Sequence, residues 1–377
     1  MAQSLPPFLQ QDLHYRPTPK SAEAGFLSGT TRQISVLNIG MQAGSRRTRV
    51  VLAAVVLALF VYLLAPRSHR IYLDYPIPQV QQIEDAVDWS RFAYVQYVTS
   101  TAHLCSSLMI FEALHRFGSK AERLMMIPLY MANIQDESSV ENKLLKKAVE
   151  AYNVKLAPIQ IQNKGTDPTW ASSYTKLLAF NQTQYDRVLI MDSDATLLQP
   201  MDELFLIAPA PVVLPRAYWL KSKILGSELM LIQPSSKEFA RVQKGISRAA
   251  QGQYDMEIVN KLYGKDAFVL PHRPYTFMTG DFKDAGHPAW KDPEEKWDPE
   301  KVLKEAKYVH FSDWPLAKPW VWEGENHIEK SRPKCLKDEV TKEETDCRAR
   351  DVWNWMYSDF AQRRKDICDL GLEGSPE

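Results

Sequence analysis

Between residues 93 and 192 the chain alternates short apolar runs with stretches whose apolar positions recur at helical spacing. Residues 93–98 read as a strand, and residues 102–117 as a helix with Leu104, Leu108, Phe111 and Leu114 on one stripe, stopped by Gly118. A second strand is expected at 124–129. An amphipathic helix follows at 138–152, turning Val140, Leu144, Leu145, Ala148 and Val149 inward. Residues 154–161 predict a third strand, residues 170–182 another helix, and the run ending at Asp192 a fourth strand. Strict βα alternation of this kind predicts a parallel sheet with helices on both faces.

Beyond Asp194 the pattern is mixed. Short strands are expected at 212–214, 229–232, 267–270 and 307–311, and helices at 235–249 and 255–263. Residues 272–299 are rich in Pro, Gly and Trp and read as loop. A charged tail follows residue 323, with one more helix at 352–367 carrying Trp353, Met356, Phe360 and Ile367 on one side.

The fourth strand carries the first chemical signal. Arg187-Val188-Leu189-Ile190-Met191 is a strand buried on both faces, and it ends in Asp192-Ser193-Asp194. In open α/β sheets ligands bind at the carboxyl ends of the strands. Spacing of i, i+2 aims both carboxylates in a similar direction if the strand geometry continues, and such a pair repels unless a cation or a shared proton lies between them. A divalent metal keeps both charged.

Upstream of the alternating region, residues 50–65 hold no charged side chain and are bracketed by Arg46, Arg47, Arg49, Arg67 and Arg70. At about 1.5 Å per residue such a helix is about 24 Å long, which suits a thin early secretory membrane. The expected organisation is a disordered cytoplasmic tail (1–49), a single-pass transmembrane anchor (50–66), a stem (67–90), a catalytic domain (91–322) and a charged, helical C-terminal extension (323–377). On this reading the protein is a single-pass, type II membrane protein with its large C-terminal domain in a secretory lumen.

The 46 basic and 46 acidic residues leave no net charge, so nucleic acid is not an expected partner. None of the four cysteines has metal-ligand spacing. Cys335 and Cys347 are the nearest pair for a luminal disulfide, Cys368 is the third C-terminal cysteine, and Cys105 reads as an inert core thiol. Asn181-Gln182-Thr183 is a glycosylation sequon.

An ordered series of motifs then resembles family 8 glycosyltransferases, the glycogenin-like group. It begins with Ala93-Tyr94-Val95-Gln96-Tyr97-Val98-Thr99 and Glu112-Ala113-Leu114-His115-Arg116-Phe117-Gly118. It continues through Tyr174-Thr175-Lys176-Leu177, Tyr185-Asp186-Arg187-Val188, Asp192-Ser193-Asp194 and Asp202-Glu203-Leu204-Phe205, and closes with His310-Phe311 and Lys318-Pro319-Trp320. The resemblance covers roughly residues 92–322. It implies a single Rossmann-like, nucleotide-sugar-binding α/β domain of the GT-A type with a mixed central sheet, and a retaining transfer from a UDP-sugar to a glycan or glycoprotein acceptor.

The same resemblance implies a site. Asp192, Asp194 and His310 would hold Mn²⁺, with Mg²⁺ as the alternative. Lys318 would meet the departing phosphate. Thr99, Ser100, His103, Lys176, Ser193 and Ser227 would contact the donor, and Asp255 would orient the sugar or acceptor. Glu228 stands where the family has a glycine, and Met256 where it has an amide. These departures, with Pro271-His272-Arg273-Pro274-Tyr275, resemble the fungal branch of Golgi N-acetylglucosaminyltransferases, which implies the Golgi membrane as location and UDP-GlcNAc as donor, with glucose or galactose still open.

Two other readings of the same residues stand beside it. Asp192-Ser193-Asp194-Ala195-Thr196 also fits the D-x-D-x-T string of haloacid-dehalogenase-like phosphatases, where Asp192 would be a nucleophile and Asp194 a general acid. The altered positions at Glu228 and Met256 also fit a catalytically inactive, glycan-binding relative.

Overall fold

The computed structural model describes residues 87–133, 135–163, 172–283, 289–292, 294–338 and 340–375. The described residues from Asp88 onward form one compact unit. The tail and anchor expected at 1–49 and 50–66, and nearly all of the expected stem, lie outside the described residues. Among the described residues no helix is long and apolar enough to cross a membrane. Even the 21-residue helix Arg348–Cys368 carries Arg363, Arg364, Lys365 and Asp366 in succession. The Golgi-membrane assignment is therefore corrected: the described structure contains no element that would support it.

The central sheet has seven strands in the order β3-β2-β1-β4-β7-β6-β8. They are β1 Phe92–Tyr97, β2 Glu122–Pro128, β3 Val154–Ile159, β4 Arg187–Met191, β6 Val212–Pro215, β7 Leu229–Ile232 and β8 Phe268–Leu270. Strands β3, β2, β1 and β4 run parallel. β7 pairs antiparallel with both β4 and β6, and β8 is parallel to β6. The mixed character thus comes from β7. A second sheet of three strands orders β5 (Ala195–Leu197), β10 (Tyr308–His310) and β9 (Phe277–Met278) as β5-β10-β9. Residues 272–299, expected as loop, therefore contain a short strand.

The apolar runs are continuous because the sheet is covered twice. Tyr94, Met125, Leu189, Met191 and Leu231 belong to one core, and Val95, Met126, Val188, Ile190 and Ile232 to the other. Neighbouring residues on a strand face opposite ways, so both sets must be apolar. Helices α1 (Thr101–Arg116), α2 (Val140–Tyr152) and α3 (Arg348–Cys368) contribute to the first core. The second is covered by Ser173–Asn181, together with helices Ser236–Ser247 and Asp255–Tyr263. The helix expected at 170–182 is, among the described residues, a 3-10 helix over 173–181. Ser172, just before it, makes no side-chain cap bond.

All four cysteines are paired. Cys335–Cys347 forms as expected, and Cys105 bonds to Cys368 rather than standing as a core thiol. That second bridge ties α1 to the end of α3 across 263 residues, a separation at which no sequence spacing could show the pairing.

Candidate active site

Three strand ends assemble the centre of the site. Asp192 follows β4, and its backbone N–H donates to the Glu228 carbonyl at 2.9 Å, which continues the β4–β7 ladder by one residue. Asp194 immediately precedes β5. The antiparallel register of β5 with β10 sets His310 opposite Ala195, and Phe311 N–H donates to the Asp194 carbonyl at 2.9 Å. This register brings His310 to the carboxylates. Candidate ligand atoms of Asp192, Asp194 and His310 lie within 4.8 Å of one another.

The ring of His310 tests whether a metal fits. Nε2 lies 3.1 Å from Asp194 Oδ2, yet both ring nitrogens are buried without a hydrogen-bond partner among the described residues. A buried imidazole in that condition, facing two carboxylates, suits a divalent cation that takes both oxygen and nitrogen ligands.

Two lysines flank the carboxylates. Lys318 Nζ pairs with Asp194 Oδ2. Lys176, 3% exposed, lies 2.8 Å from Asp192 Oδ1 and 2.7 Å from Asp255 Oδ2, and donates to the Ser227 carbonyl at 3.0 Å. Ser227 Oγ donates to Asp255 Oδ2 at 2.8 Å. Tyr97, part of the opening motif but not among the expected site residues, donates from its hydroxyl to Asp192 Oδ1 at 3.1 Å. Its position at the end of β1, beside β4, was the signal available in the sequence. Tyr308 also went unnoticed. Its hydroxyl lies 3.1 Å from the Asp192 carbonyl and 3.2 Å from that of Glu228, fastening β10 to both.

Charge and burial set the protonation preferences. Burial alone would raise the Asp194 carboxyl, but His310 and Lys318 outweigh it and hold the group well below the usual carboxylate range. Burial pushes Asp192 up, against the pull of Lys176 and with help from Asp194. At Asp255 burial is outweighed by Lys176 and the serine hydroxyls, so the carboxyl is held down. Lys176 is itself raised, because Asp192 and Asp255 overcome its desolvation. Burial raises Glu228.

These residues surround a cavity of about 460 Å³. Thr99, His103, Lys176, Ser193, Ser227 and Lys318 all line it, as do Asp192, Asp194, Asp255 and His310. Ser100 is not among the lining residues. It is the N-cap of α1, where its hydroxyl accepts from His103 N–H. His103 bonds to Thr99 through Nδ1 and meets Trp320 edge-on at 5.0 Å between ring centres. Glu228, Met256, Trp219 and Met278 also line it.

No family model matches the chain. A protein of Aspergillus fumigatus called Glucose N-acetyltransferase 1 is 40% identical over 377 residues, covering 94% of this chain and 95% of that protein. Its namesake in Gibberella zeae is 50% identical over 294 residues, covering 75% of this chain; the match spans only 64% of that relative's length. A Saccharomyces cerevisiae protein of the same name is 25% identical, covering 75% of this chain and 82% of that one. Among solved structures, the glycosyltransferase GlyE of Streptococcus pneumoniae aligns at 16% identity with a TM-score of 0.45, covering 74% of this chain and 62% of that one. The identity and the nearly full-length match to the Aspergillus protein place the chain in the Glucose N-acetyltransferase 1 family of enzymes.

Proposed function

We propose that the protein transfers N-acetylglucosamine from UDP-GlcNAc to a glycan acceptor, with a divalent metal and with retention at the anomeric carbon, in the manner of family 8 glycosyltransferases. The observation that carries the reading is the convergence of Asp192, Asp194 and His310 beside Lys318. The relatives' shared name, joining glucose with N-acetyl transfer, supports GlcNAc as the group moved.

Asp192, Asp194 and His310 would hold the metal, Mn²⁺ by its ligand preference or Mg²⁺. When bound, the cation supplies charge to neutralise a diphosphate as it leaves. The protein's own groups do the rest. Lys318, on a flexible stem at the edge of the cavity, adds a second positive charge where the leaving group's charge develops. Lys176 fixes Asp192 and Asp255 in place and favours their charged forms, and Ser227 holds Asp255 from the other side. Asp255 thereby presents a rigid carboxylate to the sugar or acceptor. Thr99, just after β1, and His103, in the first turn of α1, line the cavity where they would meet the base or ribose.

The test is UDP release from UDP-GlcNAc, with and without EDTA, followed by the anomeric configuration of the product by NMR. Metal-dependent UDP release with a retained anomer supports the reading. Phosphate release from a simple monoester would favour the phosphatase, and acetyl transfer from a thioester donor without UDP release would also overturn it. UDP binding without turnover would favour the inactive, glycan-binding relative.

A further inference from the structure

Three carboxylates in the cavity are buried, and one of them differs from the others. Asp194 lies against His310 and Lys318, and Asp255 against Lys176. Glu228 is 4% exposed and also lines the cavity. Among the described residues no Lys, Arg or His nitrogen forms an ion pair with it. Its side chain takes a hydrogen bond at Oε1 from Thr276 Oγ1, at 2.8 Å.

Its place is built into the framework. The Glu228 carbonyl accepts from Asp192 N–H and from the Tyr308 hydroxyl, so its backbone is locked to the strand ends that form the site. The carboxyl folds back over Gly226, where a Cβ would stand 2.5 Å from Oε2 and 2.8 Å from Oε1. A side chain at position 226 would have to displace it.

A carboxyl group held this way has hydrogen-bonding capacity left over, and burial makes an unmet polar group costly. A diphosphate offers no N–H or O–H and carries the same sign of charge. The uncharged sugar offers hydroxyls and, when N-acetylated, an amide N–H. We propose that Glu228 contacts the transferred sugar directly and determines which sugar is accepted. This rests on the nucleotide-sugar reading above and adds the residue that reads the sugar rather than the nucleotide.

The experiment compares wild type, Glu228→Ala and Gly226→Ala on three probes: UDP alone with Mn²⁺, UDP-GlcNAc and UDP-glucose. Wild-type turnover of a UDP-sugar is checked first, and its absence fails the function reading, not this one. Given that turnover, both variants should bind UDP with affinity within about threefold of wild type and lose about 100-fold or more in kcat/KM, with the ratio between the two sugars changed. Gly226→Ala keeps the carboxyl group but moves it, which separates its position from its presence. Turnover within about threefold of wild type in either variant, or an unchanged sugar ratio, overturns the proposal. Loss of UDP binding in both variants also overturns it, because Glu228 then belongs to the scaffold.

Discussion

Lys176 Nζ lies 2.7 Å from Asp255 Oδ2 in a pair where both side chains are nearly inaccessible, at 3% and 8%. The same nitrogen reaches Asp192, so one buried cation serves two carboxylates on different elements. Removing it would leave both without this charged partner, and breaking a buried pair from one side typically costs about 3–5 kcal/mol. Lys176→Met should therefore lose stability of that order in urea unfolding. Asp255→Asn in the same background should restore part of it, since the two changes share one interaction. Simple additivity in this double-mutant cycle would refute the shared ion pair.

Asp194 pairs with Lys318, lies 3.1 Å from His310 Nε2, and sits at the junction of β4 and β5. On the metal reading, Asp194→Ala should reduce metal-dependent turnover by about 100-fold or more while thermal unfolding stays cooperative. Mn²⁺ binding, followed by electron paramagnetic resonance, should weaken in parallel in Asp194→Ala and His310→Ala. Undiminished Mn²⁺ binding in both variants would remove these residues from the ligand set.

The route by which these groups meet explains what could be read from sequence. Parallel strands β1, β2 and β4 are buried on both faces, so their apolar runs are nearly continuous and their order is plain in the chain. Asp192 was legible because it interrupts such a run abruptly. β5 and β9 are only three and two residues long, too short for any period to register, yet β5 carries the register that brings His310 to Asp194. His310 and Lys318 were therefore reachable only through resemblance. Tyr97, Tyr308 and Thr276 act by hydroxyl contacts across distant segments, and a single tyrosine or threonine in a strand gives no sign of that.

Asp313 lies between His310 and Lys318 and is wholly buried as a side chain. Its Oδ2 accepts from Trp353 Nε1 at 3.2 Å, from the Tyr357 hydroxyl at 2.7 Å and from Thr279 Oγ1, while Lys283 Nζ lies 2.6 Å from Oδ1. Three donors and one ion pair, from two segments, thus pin the connection that carries the two site residues. Asp313→Ala should cost about 3–5 kcal/mol and also weaken Mn²⁺ binding, whereas Lys283→Ala, on the more exposed side of the pair, should cost less. Destabilisation with unaltered Mn²⁺ affinity would restrict Asp313 to the scaffold.

The Cys105–Cys368 bridge closes a loop of 263 residues, against 12 for Cys335–Cys347. Loop closure grows with the logarithm of length, so the long bridge should matter more. Replacing Cys105 and Cys368 together by Ser should lower stability by about 2–5 kcal/mol in denaturant unfolding, and replacing the Cys335–Cys347 pair by less. Equal effects would mean that local packing, rather than chain constraint, governs both bridges.

Arg273 organises the segment expected to be loop. Its guanidinium lies over the Trp290 ring at 4.2 Å and pairs with Glu295 and Glu305. Hydrogen bonds from Arg273 and Lys301 hold the Glu295 carboxyl down, from 4.5 to about 2. A depressed carboxyl contributes stability that is complete above its unfolded value and is lost as pH falls through its folded one. The contribution of this contact should thus be constant above about pH 4.5 and fade on acidification towards about pH 2. Because Glu295 is largely solvated, the effect on global stability is small, and local amide exchange is the better observable. Protection factors at 276–278, taken against the intrinsic exchange rate at each pH, should fall over that window in wild type and be already low and nearly constant in Glu295→Gln. Identical acid profiles for the two proteins would show that Arg273 holds the segment through Trp290 and Glu305 alone.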